Sequence, residues 1–503
     1  MTAENILEEK KENLHQLLPA AESDIFEWTK QWYPVAVVDY LDPSRPHAIQ
    51  LLGLDLVLWR DGEGKWRCFA DYCPHRLAPL SEGRVESDGT LLCAYHAWRF
   101  DCEGKCVKIP QSQDRQTEAK HCANPQSTAV VYPTQECQGL LWIWPEDGIL
   151  GQQECKLRRP RLVQELADAD NSDKVVKLAW NVRDLPYGWD FFMENVCDPA
   201  HVTVSHHGIM GSRYDEGKYY DMIGLREMSA QEGFSFAIAP TPATLSEAVH
   251  DFQPPCYMKI VTTFVDGGKL ILALYASPTR PGWCRHIGCQ VLVKNEAGKR
   301  PKGLAFFALP MPIWLTHVLA SLFLHQDLVF LHYQEKLLAK QGKGKWLEKV
   351  YTPNPQDKMV ITFRKWLELK AGGEMGWAAS SGCNPDLPPA ERDKQQLFDV
   401  WTTHTQHCQV CQKALNNINR LVLLSYVAAG VFLVLALLLD ARAIALLAAA
   451  GEISTSDSIL AITPTASFWW ASAIAICLGV VGYLLQKFSR LFYRYEFEHA
   501  RND

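Results

Sequence analysis

Two pairs of potential metal ligands lie close together in the first fifth of the chain. Cys73 and His75 are followed, after 17 further residues, by Cys93 and His96. Such a set can hold a [2Fe–2S] cluster, with the two thiolates on one iron and the two imidazoles on the other. The same four side chains could instead hold a tetrahedral zinc ion. The spacing therefore predicts a metal centre and leaves two kinds of metal open.

The residues around these pairs favour iron–sulfur over zinc. Segments 76–81 and 98–104 place the two ligand loops at the hairpin tips of a small β domain, which resembles the Rieske fold. Rieske proteins that oxidise quinols carry an additional Cys in each ligand loop, whereas this chain has Ala78 and Tyr95 there. Such proteins are also anchored by an N-terminal span, and the apolar runs of this chain are C-terminal. The pattern is typical of the lower-potential clusters of oxygenases.

A second candidate metal site lies in the sequence ENVCDPAHVTVSHH. Two His and a carboxylate on one face of an iron leave positions open for O₂ and substrate. His201 and His206 are about 140° apart on an ideal helix, so both can bind one ion only if the helix ends or widens there. Asn195, Asp198 and His201 would share one side of a continuous helix. An ordinary helix start, with Asp198 as the N-cap before a proline, is the alternative.

Together these motifs resemble those of the Rieske non-haem iron oxygenases. The finer similarity is to the pheophorbide a oxygenase-like branch, which includes chlorophyllide a oxygenase and related chloroplast-envelope proteins. The residues that carry it lie in segments 73–84, 95–111 and 194–208, with Cys408 and Cys411 just before a C-terminal apolar pair. The resemblance covers roughly residues 30–210 and 400–490, and the stretch between them is compatible with it.

The resemblance implies a role for each residue of the first two motifs. The [2Fe–2S] cluster would be bound by Cys73, His75, Cys93 and His96. Asp198 stands where the family has the carboxylate that links the cluster of one subunit to the iron of its neighbour, which implies a homotrimer. Asn195 belongs to the same motif and is assigned with Asp198 to the catalytic machinery.

The resemblance also implies a mononuclear Fe(II) bound by His201 and His206, with His207 as a weaker alternative to His206. The third ligand lies far downstream in the family and cannot be found by local spacing. We expect it to be Asp327, which lies in a helical apolar segment and matches, with Gln334, the family pattern D-x₆-Q/E. An ordinary helix carboxylate is the alternative for Asp327.

The implied reaction draws on partners outside the chain. Electrons would come one at a time from a ferredoxin or a reductase, and O₂ would be the co-substrate. No G-x-G-x-x-G follows a predicted strand, so the chain has no fingerprint for a nicotinamide or flavin of its own. The apolar run 304–324, directly before Asp327, predicts a pocket that suits a lipophilic ring compound. The resemblance makes that compound a chlorophyll-derived tetrapyrrole such as pheophorbide a or a chlorophyllide.

Two other functions stay open at this point. A Rieske oxygenase could act on a sterol or another aromatic substrate. A membrane-tethered Rieske electron carrier without oxygenase activity would need the cluster but would have no use for His201, His206 and Asp327.

Two C-terminal segments predict a transmembrane helical hairpin. Leu421–Leu439 and Phe468–Leu485 are uncharged and long enough to cross a bilayer core of about 30 Å. Basic side chains flank the outer ends, at Lys413, Arg420, Lys487, Arg490 and Arg494. The positive-inside rule therefore places the soluble bulk on the cytoplasmic or stromal face. The run 304–324 contains two prolines and is not predicted to span.

Composition excludes several classes of protein. The 503 residues are 48% apolar and 21% charged, with a net charge of −7 and 16 Cys. This balance excludes a disordered chain and a disulfide-rich secreted scaffold, and it argues against nucleic acid as a partner. Residues 1–30 carry seven acidic and three basic side chains, unlike a transit or signal peptide. That start fits a cyanobacterial membrane protein, or a trimmed protein of a chloroplast envelope or thylakoid.

Cys408 and Cys411 admit several interpretations. On a helix, two thiols at this spacing could form a redox-regulatory pair and be a target of thioredoxin. With His404 and His407 nearby they could clip a metal ion. They could also be two unlinked cysteines near the membrane.

The predicted fold class is α+β, with an antiparallel-β Rieske domain, a helix-grip catalytic domain and a C-terminal transmembrane hairpin. Predicted strands include Trp32–Val38, Leu54–Arg60, Lys65–Ala70, Lys259–Phe264 and Lys269–Tyr275. The predicted division is residues 1–30 for an N-terminal helical segment, 31–150 for the Rieske domain, 165–400 for the catalytic domain, 401–420 for a linker helix carrying the two cysteines, and 421–503 for the membrane anchor.

Overall fold

The computed structural model describes residues 25–167, 173–214, 219–238, 245–300, 311–342, 345–451 and 465–501. The chain divides into two compact units. The first comprises Met1–Pro310, Gln326–Ala390 and His499–Asp503, and the second comprises Met311–His325 and Glu391–Glu498.

Three small antiparallel sheets form the N-terminal part of the first unit. Their strand orders are β2-β3-β4-β9, β5-β6-β7-β8 and β1-β11-β10. The predicted strands in this region are confirmed to within a residue at each end. The strands are β1 Tyr33–Val37, β2 His47–Leu51, β3 Leu54–Arg60, β4 Trp66–Ala70, β5 Arg84–Val85, β6 Leu91–Leu92, β7 Arg99–Phe100, β8 Cys106–Lys108, β9 Val131–Tyr132, β10 Thr134–Cys137 and β11 Leu140–Ile143.

A larger sheet of eight strands follows in the first unit. Its order is β12-β19-β18-β17-β16-β15-β14, and β13 also pairs with β19. Neighbouring strands are antiparallel throughout, and alternate residues of β18 are buried from Ile271 to Tyr275, whereas the residues from Tyr275 to Thr279 are all buried. The strands are β12 Val175–Lys177, β13 Asn181–Leu185, β14 Met222–Ser229, β15 Gly233–Ile238, β16 Leu245–Gln253, β17 Tyr257–Phe264, β18 Lys269–Arg280 and β19 Trp283–Val293.

Helices connect and cover these sheets and continue into the second unit. With the antiparallel sheets they confirm a mixed α and β fold. The helices are α1 Arg115–Cys122, α2 Gly148–Glu154, α3 Trp189–Val196, α4 Val202–Ser205, α5 Ile313–Lys340, α6 Trp346–Lys349, α7 Lys358–Lys370, α8 Lys394–Leu397, α9 Gln409–Ala449 and α10 Ala466–Ser489.

The predicted N-terminal helix falls mostly on residues 1–24, which lie outside the described residues. Its described remainder, residues 25–30, is not helical, so that part of the prediction is wrong. Phe26 and Trp28 are buried, and the Trp28 indole donates to the carbonyl oxygen of Ala371 at 3.1 Å. The Trp28 ring also packs edge-on against Trp189. Apolar anchoring, rather than helix periodicity, decides the path of this segment.

The predicted linker helix is not a separate element. Residues 401–408 form turns and a short 3₁₀ segment, and α9 then runs without interruption from Gln409 into the apolar run. No proline or glycine stands between Gln409 and the apolar residues, so nothing in the sequence ends the helix there.

Among the described residues, three helical segments are long and apolar enough to cross a membrane by length and composition: α5, α9, and α10 with its continuation to Phe492. Within the second unit α9 and α10 are antiparallel, because Tyr426 contacts Gly482 and Gln486 while Asp440 accepts from the Thr465 N–H. Their contact uses small buried side chains, and the larger apolar ones face outward. Examples of the outward set are Leu423, Leu424, Leu438, Trp470 and Leu484.

A buried arginine ties α7 to α3 in the first unit. Arg364 on α7 pairs with Asp190 at 2.7 Å and with Glu194, both on α3, and it stacks over the Phe191 ring at 4.7 Å. Burial disfavours the charge on Arg364, but the two carboxylates outweigh that cost and raise its pKa above the usual value. This clamp fixes the helix that leads into the predicted iron motif.

We expect Arg364→Met to destabilise the first unit strongly. Removing the cation leaves Asp190 and Glu194 close together without their charge partner, a change that typically costs about 3–5 kcal/mol of the free energy of unfolding. Denaturation of the detergent-solubilised chain, followed by circular dichroism, measures the loss.

The matched control is Lys358→Met on the same helix. Lys358 pairs with Asp221 at 2.6 Å, but both side chains are half exposed, so its loss should cost at most about 1 kcal/mol. An equal loss of unfolding free energy in the two variants would contradict the stabilising role of the Arg364 ion pairs.

Candidate functional site

The two cysteine loops of the first motif share one backbone arrangement. The Cys73 N–H donates to the carbonyl oxygen of Ala78, and the Leu77 N–H donates back to Cys73. The second loop repeats this pattern around Cys93, with Ala97 in the place of Leu77. Leu77 and Ala97 both have positive φ, 58° and 57°, a strained conformation for residues other than glycine. Two such loops side by side form a cradle at the tips of the hairpins.

The cradle separates thiols from imidazoles. Cys73 and Cys93 are each 1% exposed, contact each other, and belong to an apolar cluster with Trp59 and Phe69. The ring centroids of His75 and His96 are 4.6 Å apart, on the outer side of the loops. His75 also stacks on the indole of Trp98 at 4.5 Å.

This donor set fits a [2Fe–2S] cluster better than a single zinc ion. Its ligands fall into a Cys pair and a His pair, as two iron atoms require. Burial raises the pKa of the Cys73 thiol to about 12, and the N–H groups of His75 and Arg76 point at its sulfur. A buried thiolate there needs a cation for charge balance, and those N–H groups suit a ligating sulfur.

The second motif is built around a break in the helix. α3 ends at Val196, and Asp198 forms a tight turn by accepting from the Ala200 N–H at 2.8 Å. α4 then spans only Val202–Ser205, with His201 at its N-terminal boundary and His206 at its C-terminal boundary. The expectation that a helix ends or widens between His201 and His206 is confirmed, because α4 ends at Ser205. The continuous helix through Asn195, Asp198 and His201 is wrong, because α3 ends at Val196. The proline after Asp198 accounts for the break.

The structure brings three predicted ligands together in the first unit. Donor atoms of His201, His206 and Asp327 all lie within 4.8 Å of one another. The Nε2 atom of His206 is 3.0 Å from Asp327 Oδ2, and the Nε2 atom of His201 is 3.7 Å from the same oxygen. His206 and Asp327 are buried, and His201 is partly exposed. Two imidazoles and one carboxylate on one side of a common point match the open iron sites of oxygenases.

Two further side chains orient these ligands. The amide oxygen of Gln326 lies 2.7 Å from His206 Nδ1, which directs Nε2 toward Asp327. The Ser205 hydroxyl donates to Asp327 Oδ1 at 2.7 Å, leaving Oδ2 to face the imidazoles. Burial disfavours the charge on Asp327, but hydrogen bonding and charge from the two imidazoles hold its pKa below the usual value. The carboxylate is thus ionised, and its Oδ2 atom faces the two imidazoles, as a shared metal ion would require.

Other predicted residues of this motif lie around the ligand group. Asp198 Oδ2 is 3.8 Å from His201 Nδ1, and its side chain is 31% exposed. Asn195 lies in the last turn of α3, and its backbone carbonyl oxygen accepts a hydrogen bond from the Asp198 backbone N–H. His207 is outside the group, because its Nδ1 accepts from the backbone N–H of Arg213 at 3.1 Å.

Sequence reasoning missed Gln326 and Ser205. An amide and a hydroxyl carry no ligand motif, and only their adjacency to Asp327 and His206 could have drawn attention to them.

The remaining predicted pair, Cys408 and Cys411, lies in the second unit. Both thiols are buried and close to His404, as a metal clip would require, whereas His407 is exposed. The structure adds His317 from α5, which the sequence did not single out. The redox role of this pair stays a prediction.

Comparison with known families matches two parts of the chain. Residues 31–124 match the family described as Rieske [2Fe-2S] domain, and residues 252–345 match the family described as Pheophorbide a oxygenase. The first match contains the two cysteine loops, and the second contains Asp327.

Similar proteins and structures extend these matches. Pheophorbide a oxygenase, chloroplastic, of Arabidopsis thaliana is 34% identical over 413 residues, covering 79% of this chain and 74% of that protein. Flavonoid 8-hydroxylase 2, chloroplastic, of Ocimum basilicum is 32% identical over 433 residues, covering 81% and 77%. The crystal structure of dicamba monooxygenase bound to 3,6-dichlorosalicylic acid superposes with a TM-score of 0.51 at 18% identity, covering 68% of this chain and 98% of that one. That structural likeness concerns the fold.

We expect Gln326→Leu to weaken iron binding about 10- to 100-fold, because loss of a partner that orients a ligating imidazole typically has that effect. Equilibrium dialysis of the anaerobic protein against Fe(II) measures the affinity.

The control for this variant is Gln334→Leu, an exposed amide two turns further along the same helix, which should leave the affinity unchanged. An unchanged affinity in Gln326→Leu would show that the hydrogen bond to His206 is dispensable.

Proposed function

This chain belongs to the pheophorbide a oxygenase family of Rieske oxygenases, and we propose that it oxygenates a chlorophyll-derived tetrapyrrole such as pheophorbide a or a chlorophyllide. The proposal draws electrons from a separate ferredoxin or reductase and uses O₂ as co-substrate. The observation that carries the oxygenase chemistry is the convergence of His201, His206 and Asp327. A pure electron carrier has no use for that site.

When bound, the [2Fe–2S] cluster supplies single electrons, and the ferrous iron supplies open positions at which O₂ reacts beside the substrate. His201, His206 and Asp327, which come from two segments, would hold the iron and provide the positions at which it takes up O₂ beside the substrate. Gln326 and Ser205 hold two of these ligands in place before the substrate arrives. This preorganisation means that no ligand has to be reoriented during the reaction.

The tetrapyrrole assignment rests on likeness to relatives and on the apolar character of the chain. The relative that is 34% identical is named for pheophorbide a, and the second family match carries the same name. A macrocycle of that kind is lipophilic and partitions into membranes. A chain that carries exposed apolar helices is suited to meet such a substrate at the bilayer surface.

We propose that α9 and α10 are the transmembrane hairpin of this protein. Their antiparallel pairing through small side chains, with Leu and Trp side chains facing outward, is what a bilayer requires. The basic residues before α9 and after α10 support a proposed orientation in which these two outer ends, with the soluble bulk, lie on the cytoplasmic or stromal side. The chloroplastic names of the relatives support a plastid location, for which we propose the envelope or thylakoid, and a cyanobacterial membrane is the alternative. We further propose that the eight-stranded sheet and the part of α5 from Gln326 to Lys340 form a helix-grip catalytic domain.

We propose a homotrimer in which the His75 and His96 tip of one subunit lies against Asp198 of the next. The tip carries large exposed apolar side chains, with Leu77 72% and Tyr95 60% exposed, as a surface that is covered on assembly would. Asp198 lies between His201 and the surface, since its carboxylate is 3.8 Å from that imidazole and still partly exposed. A hydrogen bond from a neighbouring imidazole to this carboxylate would complete a path between the two metal sites.

We expect product only from a tetrapyrrole when the detergent-solubilised, iron-loaded protein is given reduced ferredoxin, ¹⁸O₂ and a panel of potential substrates. The panel contains pheophorbide a, chlorophyllide a, a flavone, a sterol and an aromatic acid. Mass spectrometry detects the incorporated label.

The control for this assay is Asp327→Asn, which keeps the cluster and its reduction by ferredoxin but should yield no labelled product. Label in the flavone, sterol or aromatic acid alone would overturn the substrate assignment. Electron uptake without product from any compound, with the iron shown to be present, would overturn the oxygenase proposal for this panel and favour the carrier.

We expect two inactive variants to restore activity when they are assembled together. Cys73→Ser lacks the cluster, and Asp327→Asn lacks a complete iron site. In a trimer that contains both variants, one of the three sites combines an intact iron site with an intact neighbouring cluster, so about a third of the wild-type activity should return. Coexpression with two different affinity tags, tandem purification and the ¹⁸O assay measure this recovery. Complete inactivity of the mixed assembly would show that electrons stay within one chain.

A further inference from the structure

We infer that the second unit contains a structural zinc site formed by His317, His404, Cys408 and Cys411. This site is separate from the two iron sites of the proposed function and uses none of their ligands. All four residues belong to one compact unit, Met311–His325 with Glu391–Glu498.

The ligand atoms have the spacing of a tetrahedral site. The His317 Nδ1 atom is 3.2 Å from Cys411 Sγ and 3.8 Å from Cys408 Sγ. The His404 Nε2 atom is 3.2 Å from both His317 Nδ1 and Cys411 Sγ. With Zn–N bonds of about 2.0–2.1 Å and Zn–S bonds of about 2.3 Å, the ligand atoms of a tetrahedral zinc lie about 3.3–3.8 Å apart. For a tetrahedral ion these bond lengths set about 3.3 Å between two nitrogens and about 3.6 Å between a nitrogen and a sulfur, so the observed separations agree to within about 0.4 Å.

The chain positions the two thiols at the start of a long helix. Cys408 is the N-cap of α9 and Cys411 lies in its first turn. The partial positive charge at a helix N-terminus favours thiolates, the form in which cysteine binds metal. The spacing C-x₂-C is the one that holds zinc in small metal-binding motifs.

The two imidazoles come from other segments of the same unit. His317 lies in the first half of α5, and His404 lies in the turn before the 3₁₀ segment Thr405–His407. That turn is held by the Thr405 hydroxyl, which donates to the Phe492 carbonyl oxygen at 2.6 Å. His404 is thereby turned inward, whereas His407, three residues later, is exposed.

Burial makes a bound metal ion the simplest explanation for this group of two histidines and two cysteines. His317, His404, Cys408 and Cys411 are between 1% and 5% exposed. Four polar side chains aimed at one buried point carry a desolvation cost that a divalent cation would offset. Mixed nitrogen and thiolate donors in a tetrahedron select zinc, and four protein ligands leave no open position for catalysis.

Burial also bears on the redox prediction for the same thiols. Exchange with thioredoxin requires an attacking thiolate to reach a sulfur atom, and Cys408 is 3% and Cys411 1% exposed. A Cys408–Cys411 disulfide would also leave two buried imidazoles facing it. A zinc ion uses all four side chains, joining α5, the turn at His404 and the start of α9 at the base of the apolar helix pair.

The test measures zinc in the full-length chain, expressed with iron and zinc present and purified in detergent without chelators. We expect one zinc per chain by mass spectrometry of metals. Cys411→Ser and His404→Gln should each lower the zinc content about tenfold or more, while the cluster absorbance persists. The matched control His407→Gln alters the neighbouring exposed imidazole and should retain the zinc.

A second variant excludes zinc that has entered the iron site by mistake. Asp327→Asn disrupts only that site and should leave the zinc content at one per chain. Loss of zinc in Asp327→Asn together with its retention in Cys411→Ser would overturn the inference. So would a wild-type protein with a full cluster and less than about 0.1 zinc per chain.

A measurement on the wild-type chain covers the case in which the ligand variants fail to fold. Peptide mapping after alkylation should find Cys408 and Cys411 protected until a zinc chelator is added, while the partly exposed Cys383 reacts in both conditions. Protection that a chelator does not relieve, or a Cys408–Cys411 disulfide in the native protein, would overturn the zinc site. The disulfide would favour the redox pair instead.

Discussion

The buried carboxylate of Asp327 is the constraint on which the catalytic part of the structure depends. An ionised carboxylate away from water is costly unless charges and hydrogen bonds compensate for it. Here His201, His206 and Ser205 surround it, although they lie more than 120 residues earlier in the chain. The break after α3 points both imidazoles inward, and the Arg364 clamp fixes the helix from which that break departs. The proposed iron ion would complete the charge balance that these contacts begin.

The cluster site and the iron site are built in different ways. The cluster cradle is local, because two loops of one small β region repeat the same hydrogen bonds and the same positive-φ residue. Its thiols are buried and its imidazoles face outward, so an electron donor or a neighbouring subunit can reach the histidine side. The iron site joins distant segments and is largely buried, which suits chemistry that must exclude water. The cluster cradle is thus suited to electron exchange with partners, and the His201, His206 and Asp327 group is suited to a reaction shielded from water.

The proposed zinc site would add a third use of cysteine and histidine in the same chain. It has no exposed edge like that of the cluster and no open position like that of the iron. A closed site of this kind contributes to folding by fixing three segments in one geometry. Its position at the start of α9 means that the long apolar helix would begin from a rigid base.

The sequence by itself determined the features whose causes are local. Motifs, alternation and composition over a few to about 25 residues predicted the two cysteine loops, the strands Leu54–Arg60 and Lys65–Ala70, and the apolar runs of α9 and α10. The assignment of the four cluster ligands stays a prediction. The spacing of His201 and His206 also predicted that a helix must end or widen between them if both bind one ion. Asp327 was reached through a family pattern rather than through its own neighbourhood.

The tertiary structure alone decided which polar side chains meet. Gln326 and Ser205 belong to no ligand motif, and their role appears only when α5 lies beside α4. The choice of His404 over His407, and the addition of His317, depend on how a turn and two helices pack around one buried point. The path of residues 25–30 was set by burial of Trp28 against distant aromatic rings. Local sequence specifies hydrogen bonds along the chain, whereas contacts between segments far apart depend on which buried surfaces fit together once the chain has folded.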